Sequence, residues 1–252
     1  MPAEAYDTLA AVYDWLVPDA LLEPEGSAEA FAPFLAPLPP GARVLDCAAG
    51  TGQLAVGLAL RGFDVVAADA SGAMVARTDA LAARHGVALE TRTCAWKDLE
   101  RQRFAPFDAV LCVGNSLTHA PGHDGRRAAL RAMAAVLKPG GLLVVTSRNW
   151  ELVRAEGSGL RVADELTVRD GVRGLVVHAW SLADGWDDAH HLDVAVALLG
   201  DDGGVRTHRE RLAFWPFRHE TLDEDLRAAG LEPVTSTYGA DVERYLVTAR
   251  RP

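Results

Sequence analysis

Short apolar segments alternate with amphipathic ones along the middle of the chain. Five segments rich in Val or Leu predict strands, at 43–47, 64–69, 88–94, 107–113 and 142–147. Apolar residues at helical spacing predict helices between them, over 52–61, 71–86 and 124–137. Ser71 is a natural helix N-cap, and Gly62 and Gly86 are natural helix ends. Strands that alternate with helices in this way predict a parallel sheet with right-handed crossovers.

The two ends of the chain differ from this alternating middle. The stretch YDTLAAVYDWL, residues 6–16, predicts an amphipathic helix, and a second helix is expected over 28–35. After Trp150, the turn-forming stretches ADGWDDA and GDDGG separate the segments 174–182, 190–199 and 205–215, which predicts an antiparallel meander. The chain finishes with a predicted helix, 220–230, and two strands, 231–239 and 244–251. Only a short turn joins these strands, so they must be antiparallel.

These elements predict a single α/β fold. It is a Rossmann-like seven-stranded mixed sheet whose last strand is antiparallel, with helices on both faces and an inserted antiparallel β meander. We expect three parts: an N-terminal helical cover (1–42), the Rossmann-like core (43–150 and 219–252) and an inserted β lid (151–218).

Charge and cysteine content narrow the class of protein. The formal net charge of −10 argues against a nucleic-acid partner, because such a surface needs clustered Lys and Arg. The sequence has neither an apolar run of membrane-spanning length nor a signal-peptide pattern. Three scattered cysteines predict neither disulfides nor a zinc site, and His190 and His191 would point to opposite faces of a strand. We expect a cytoplasmic protein without metal, nucleic-acid or membrane contacts; its oligomeric state is left open.

One stretch, ARVLDCAAGTGQLAVGLALRGFDVVAADAS (42–71), predicts a ligand site. The bare backbone of Gly50 and Gly52 lets a ligand approach a helix N-terminus closely, and Asp69 ends the next strand, where it can accept hydrogen bonds from ribose hydroxyls. The alternative interpretation is that Gly50 and Gly52 form an ordinary tight turn and that Asp69 is a helix-capping or loop acid. Because Gly50–Ala55 also fits G-x-G-x-x-A, the turn alone is compatible with NAD or with a nucleoside that has no phosphate.

Further motifs separate these cofactors. VLDCAAGTG resembles the D-x-G-x-G-x-G motif of class I S-adenosylmethionine-dependent methyltransferases, with Asp46 at the acidic position and Ala48 replacing the first glycine. The terminal antiparallel hairpin also resembles that family, whereas a dinucleotide dehydrogenase normally continues to a sixth parallel strand. The Tyr- and Trp-bearing N-terminal helix and three stretches resemble glycine and sarcosine N-methyltransferases: CAWKDL (94–99), GNSLTH (114–119) and TSRNW (146–150). The resemblance implies S-adenosyl-L-methionine as cofactor.

The resemblance also implies which residues hold this methyl donor. Ala48 and Gly50 would face its amino-acid end and Asp69 its ribose. The adenine would lie among Ala70, Met74, Ala95 and Trp96. The other expected cofactor contacts are Tyr13, Trp15, Gly52, Val113 and Ser116. Trp96 as a core aromatic and Met74 as plain packing are the alternatives.

One departure from the family concerns the donor's carboxylate. The glycine-methylating enzymes hold it with an N-terminal arginine, but this chain has no basic residue before Arg43. Backbone amides and hydroxyls, or a cation later in the chain, must replace that arginine.

The acceptor site is expected at the carboxyl ends of the fourth and fifth strands. In the family that the chain resembles, the arginine at position 148 holds the acceptor's carboxylate, and its planar fork suits bidentate binding. Asn115 would assist it, and His119 is either a donor or substrate contact or a satisfied loop histidine. A surface arginine is the alternative for Arg148. The predicted lid lacks the tyrosines of the glycine enzymes, which favours an acceptor larger than glycine.

The predicted function is methyl transfer from S-adenosylmethionine to a small-molecule acceptor, at the amine nitrogen of a carboxylate-bearing compound. Methyl transfer to a neutral amine needs alignment more than a base. Methylation of oxygen is the nearest alternative and would need a base, for which His119 or a histidine of the lid is available. An NAD-dependent oxidoreductase and a non-catalytic nucleoside sensor are alternatives from other classes.

Overall fold

A computed structural model describes residues 3–252, so the first two residues of the predicted cover, 1–42, lie outside the described residues. The α-helices are α1 Ala3–Leu9, α2 Pro24–Leu35, α3 Gln53–Leu60, α4 Gly72–Arg84, α5 Gly122–Val136, α6 Trp150–Glu156 and α7 His219–Ala228. The first strands are β1 Arg43–Asp46, β2 Asp64–Asp69, β3 Glu90–Thr93, β4 Phe107–Cys112 and β5 Leu137–Arg148. The later strands are β6 Gly159–Val162, β7 Thr167–Arg169, β8 Val172–Ser181, β9 His190–Leu199, β10 Val205–Phe214, β11 Glu232–Ser236 and β12 Arg244–Arg250.

Seven strands form the main sheet, in the order β11-β12-β5-β4-β1-β2-β3. Strands β1 to β5 pair in parallel, whereas β12 lies antiparallel between β5 and β11. The predicted mixed sheet with an antiparallel last strand is therefore confirmed. The strand order reverses between β1 and β4, and the crevice beyond the carboxyl ends of strands at such a reversal is where ligands bind in these folds.

Both faces of the main sheet are buried, which explains why its strands are apolar at consecutive positions. One face, with Val144 and Leu246, packs against α2 and α3. The opposite face, with Val145 and Val247, packs against α5 and α7. Helices on both faces are thus confirmed.

The inserted strands form a separate antiparallel sheet in the order β10-β9-β8-β6, with β7 also pairing with β8. The predicted meander is confirmed in β8, β9 and β10. Its buried face, which includes Val176 and Trp180, packs on Leu9 and Val12 of the N-terminal segment and on Trp150. A Cβ at Gly174 would lie 2.4 Å from Nε1 of Trp15, so glycine allows this indole to lie directly on β8.

Several predicted boundaries were wrong, each because a tertiary contact or a local preference acts there. The helix predicted over 6–16 becomes 3₁₀-helical at Ala10–Leu16, where Arg77 donates a hydrogen bond to the Ala10 carbonyl. Helix α2 begins at Pro24 rather than at residue 28, because proline suits the first turn of a helix. Helix α5 ends at Val136, since Leu137 already pairs with Phe107 in the sheet. The pattern gave no indication of α6, β6 or β7.

We predict that Gly57→Ala destabilises the protein, because α3 lies unusually close to the start of α2. A Cβ at position 57 would lie 2.0 Å from the Pro24 carbonyl oxygen and 2.9 Å from Cβ of Ala28. Overpacking of this kind costs about 1–3 kcal/mol, more than the better helix propensity of alanine returns. Urea unfolding followed by circular dichroism measures the loss. Gly159→Ala is the matched control, because a Cβ there meets nothing within 4 Å; equal stability of the two variants would contradict the prediction.

Candidate functional site

A cavity of about 470 Å³ lies at the carboxyl edge of the main sheet, where β1 and β4 diverge. Its volume is within the range of roughly 300–1,000 Å³ that is typical of small-molecule sites. Its wall comes from the N-terminal segment, α2, the turn after β1, the segment after β4, and the adjoining ends of β5 and β12. We call it the main cavity. A second cavity of about 30 Å³, the small cavity, shares Tyr13, Ala48, Gly50, Gly114 and Ser116 with it.

The turn after β1 is fixed on two sides by hydrogen bonds. The Gly50 amide donates to Oδ2 of Asp69 over 3.0 Å, and the Thr78 hydroxyl donates to the Gly50 carbonyl over 3.0 Å. Gly52, at φ +92°, precedes α3, and a Cβ there would lie 2.8 Å from the Thr78 side chain. Glycine is required at position 52 both for this left-handed backbone and for the close approach of α4. The turn is therefore formed before any ligand binds.

Asp69 lies at the end of β2, as the sequence predicts, and is only 5% exposed. Its Oδ1 accepts a hydrogen bond from the Ser71 amide at 2.9 Å, and its Oδ2 accepts the one from Gly50. Burial raises the pKa of this carboxyl, and the two amide donors oppose the rise. Each carboxylate oxygen can accept a further hydrogen bond, so Asp69 can still bind a pair of hydroxyls.

Asp46 is a second buried acid, at the end of β1, and it is 1% exposed. Its Oδ1 lies 3.4 Å from the Ala48 amide, and its Oδ2 is buried with no hydrogen-bond partner among the described residues. Burial raises the pKa of Asp46 to about 7. An orphaned carboxylate oxygen on the wall of the main cavity calls for a cationic or N–H ligand.

His119 is held between two protein groups. Its Nδ1 lies 2.9 Å from the Ala213 carbonyl oxygen, which can only accept, so Nδ1 donates. Its Nε2 then accepts from the Tyr6 hydroxyl at 2.7 Å. Burial lowers the pKa of His119 to about 4. The histidine is neutral and fully engaged, and it joins the N-terminal segment, the main sheet and the lid.

Asn115 is oriented by donors from the end of β5 and from α6. Its Oδ1 accepts from the Arg148 amide at 3.0 Å and from Nε1 of Trp150 at 3.2 Å. Because both partners can only donate, the amide orientation is unambiguous. Within the described part of the chain, Nδ2 forms no hydrogen bond with a protein acceptor, and the residue is 5% exposed.

Arg148 ends β5 and is half-buried. Burial, together with the neighbouring charges of Arg244 and Arg161, lowers its pKa to about 10, so it remains cationic at neutral pH. No ion pair formed among residues 3–252 includes it. His178 lies on the same face of β8 as the buried Val176 and Trp180. Burial lowers the pKa of His178, and the charge of the nearby Arg148 lowers it further.

The structure brings only some of the predicted site residues to the cavities. Those on the cavity walls are Tyr13, Ala48, Gly50, Asp69, Met74, Val113 and Ser116. Those outside the walls are Trp15, Gly52, Ala70, Ala95, Trp96, Asn115, His119 and Arg148. The Trp96 indole lies in the core and donates from Nε1 to the Cys47 carbonyl at 2.8 Å, so it supports the glycine turn from below.

Sequence reasoning missed much of the main cavity wall, including an aromatic pair and a cation. Phe31 and Phe34 come from α2, and Arg244 comes from the start of β12. Helical spacing marks the phenylalanines only as core residues. Nothing in the sequence marks Arg244, because the pairing of β12 with β5 decides where it lies.

Residues 3–252 show neither a metal site nor a helix suited to cross a membrane. No group of three or more His, Cys, Asp or Glu within residues 3–252 is arranged to hold a metal ion. In the same residues, no helix combines the length and the apolar character that crossing a membrane requires.

Comparisons with known proteins agree with this geometry. The methyltransferase-domain family matches residues 44–141. The glycine/sarcosine N-methyltransferase of Parasynechococcus marenigrum (strain WH8102) is 41% identical over 224 residues, which cover 86% of this chain and 74% of that protein. The glycine N-methyltransferase of Homo sapiens is 31% identical over 209 residues, covering 74% of this chain and 68% of that protein. The solved CcbJ methyltransferase of Streptomyces caelestis has the same fold, with a TM-score of 0.78 at 24% identity over 98% of this chain and 97% of its own.

A mixed seven-stranded sheet with a glycine turn at its strand-order reversal defines a nucleoside-binding α/β protein. The chain belongs to the S-adenosylmethionine-dependent methyltransferases, in the family of the glycine/sarcosine N-methyltransferases. It is an enzyme, and S-adenosylmethionine is its cofactor.

We predict that Asp46→Asn stabilises the ligand-free protein increasingly as the pH rises. The pKa of Asp46 is raised from 3.8 to about 7, so the folded state holds this proton more tightly than the unfolded state does. The contribution of Asp46 to stability therefore falls as the pH rises between these values and is level above them. Asparagine resembles the protonated acid and does not titrate. The free energy of unfolding of the variant, relative to that of the wild type, should be higher at about pH 8 than at about pH 5 by on the order of 1–4 kcal/mol. Urea unfolding at both pH values measures this change. A difference that is the same at both pH values would contradict the assignment.

Proposed function

We propose that the protein transfers a methyl group to the amine nitrogen of a small acceptor that carries a carboxylate. The observation that supports this most directly is Arg148, a half-buried cation that forms no ion pair within residues 3–252 and whose main-chain amide donates to Asn115. In the same residues, Nδ2 of Asn115 has no protein acceptor. A guanidinium fork and an amide N–H together suit a carboxylate. The curated relatives, named as enzymes of glycine and sarcosine, act on amines of that kind.

We place the donor in the main and small cavities. Asp46, with its orphaned Oδ2, suits the ammonium of the methionyl end, and the Gly50 backbone lies against the same end. Asp69 suits the two ribose hydroxyls. The small cavity, at about 30 Å³, has room for water but not for a ribose, so Tyr6 or Tyr13 must shift when the nucleoside enters. Met74 lines that cavity and is therefore suited to contact the adenine, as expected.

The chain's residues have to orient the acceptor and exclude water. S-adenosylmethionine supplies a methyl group on a positively charged sulfur, which leaves as a neutral thioether. Arg148 and Asn115 hold the acceptor's carboxylate at one end, which directs the amine lone pair toward the methyl carbon. The amine binds as the neutral base, the N–C bond forms as the C–S bond breaks, and the product ammonium later loses a proton to solvent.

Amine methylation is favoured over oxygen methylation by the state of His119. A hydroxyl acceptor needs a base to remove its proton. Both ring nitrogens of His119 are engaged, to Ala213 and Tyr6, and its pKa is lowered to about 4, so it is poorly suited to that task. We propose that His119 positions the Tyr6 ring above the donor site. His178 remains on the inner face of the lid as a wall of the acceptor site.

The proposed function predicts which acceptors react and how Arg148 controls them. Purified enzyme with radiolabelled methyl donor should methylate glycine, sarcosine or a larger amino acid, but not glycinamide or a phenol. Arg148→Ala should raise KM for the carboxylate acceptor by on the order of 10²-fold, because truncating one partner of a close charge pair costs about 2–5 kcal/mol. The Kd for S-adenosylhomocysteine, measured by titration calorimetry, should change little.

Arg148→Lys and Arg131→Met are the controls. Lysine keeps the charge without the fork and should recover part of the loss. Arg131 is an exposed arginine on α5, outside the cavity walls, and its replacement should leave both constants unchanged. Equal activity on the amino acid that reacts best and on its carboxamide, or equal effects of Arg148→Ala on donor and acceptor, would refute the carboxylate clamp. Methylation of the phenol alone would refute amine methylation.

A further inference from the structure

Two arginines lie directly opposite each other where β5 and β12 pair. Arg148 and Arg244 are register partners in this antiparallel pair, so their side chains project from the same face of the sheet. Like charges directly opposite each other destabilise a sheet. Neither guanidinium belongs to any ion pair among residues 3–252. Two unpaired cations at this edge are suited to two anionic groups brought by ligands.

The end of the β5–β12 pair that bears both arginines borders the main cavity. Thr146 and Leu246, which share the arginines' face, line it together with Ser147 and Tyr245 of the opposite face. Arg244 also lines it and is exposed to its open space, whereas Arg148 lies outside the wall, toward the lid. The charges that act on Arg148 include Arg161 of β6 and Glu156 of α6, which places it on the lid side.

Arg244 is the only cationic residue among the described residues that line the main cavity. The wall that α2 contributes is apolar apart from Ser27, with Ala30, Phe31 and Phe34 beside it. The first 42 residues contain no Lys, Arg or His, so no side chain of the N-terminal cover is a cation. Asp46 is the only acid on the same wall. The main cavity therefore presents one anion, one cation and the bare backbone of Gly50.

An α-amino acid zwitterion is the ligand chemistry that fits one acid and one guanidinium in a single cavity. The ammonium needs an anion, which Asp46 provides once its proton has left. The carboxylate needs a cation, and an arginine binds it with two parallel N–H donors. The Tyr13 ring lines both cavities, between these two groups and Asp69. Burial raises the pKa of Tyr13 to about 12. The charge of Asp69 adds to this rise, and the charge of Arg244 opposes it.

We propose that Arg244 binds the carboxylate at the methionyl end of the donor, and that Arg148 is thereby left for the acceptor. The inference rests on the placement of the donor in the main cavity under the proposed function. It divides the two adjacent cations between two carboxylates, and it gives the last strand of the sheet a role in cofactor binding.

A pair of nucleosides tests this assignment directly. S-adenosylhomocysteine has the amino-acid end, whereas 5′-methylthioadenosine lacks it. Arg244→Met should raise the Kd for S-adenosylhomocysteine, measured by titration calorimetry, about 30-fold or more, because it truncates one partner of a charge pair. It should change the affinity for 5′-methylthioadenosine less than about threefold. Arg244→Lys should recover part of the loss, since it keeps the charge.

Arg148→Met and Arg131→Met are measured beside it, with thermal unfolding to verify that each variant is folded. Arg131→Met should leave the affinities for the two nucleosides unchanged, and Arg148→Met should change the affinity for S-adenosylhomocysteine much less than Arg244→Met does. The assignment is overturned if Arg244→Met spares S-adenosylhomocysteine and raises only the acceptor's KM, or if it weakens both nucleosides equally. These outcomes are independent of the proposed acceptor: an enzyme that methylates no amine can still show the selective loss for S-adenosylhomocysteine.

Discussion

The hydrogen bond from the Gly50 amide to Asp69 is the contact on which the site depends. It joins the turn after β1 to the end of β2 across the gap that a cofactor must occupy. Thr78 holds the same glycine from α4, and Trp96 holds the Cys47 carbonyl from the segment after β3. Contacts from the end of β2, from α4 and from the segment after β3 thus converge on one turn. These contacts order the backbone of the turn when the protein folds. Ligand binding therefore does not have to supply the free energy of ordering it.

A second junction links the three parts of the chain. His119 accepts from Tyr6 of the N-terminal segment and donates to Ala213 of the lid, while it lies just after β4 of the core. This bridge requires a neutral imidazole, and burial lowers the pKa of His119 accordingly. His119, whose residue type suits a general base, is thus used to hold the parts of the chain together. Methyl transfer to an amine tolerates that use because alignment, not proton removal, is the main demand.

Unsatisfied charge is concentrated at the carboxyl edge of the main sheet. Within residues 3–252, Oδ2 of Asp46 has no hydrogen-bond partner, and Arg148 and Arg244 face each other without a carboxylate. The buried Asp225, by contrast, binds Arg126 and Arg127. Local conflicts of this kind are destabilising unless a ligand resolves them, and they concentrate at functional sites for that reason. The pattern of conflict itself indicates an amino-acid-bearing ligand.

The sequence by itself determined the strand and helix alternation, the seven-stranded sheet, the antiparallel meander and the turn from Asp46 to Gly52. Each of these depends on local periodicity, on glycine conformation or on short turns, which neighbouring residues decide. The tertiary structure decided the rest. The 3₁₀ segment Ala10–Leu16 depends on Arg77, more than sixty residues away along the chain, and the core position of Trp96 depends on Cys47. Arg244 reaches the main cavity only through the register of β12 on β5. Strand register is a long-range choice between near-equivalent pairings, so no local pattern around Arg244 could have revealed it.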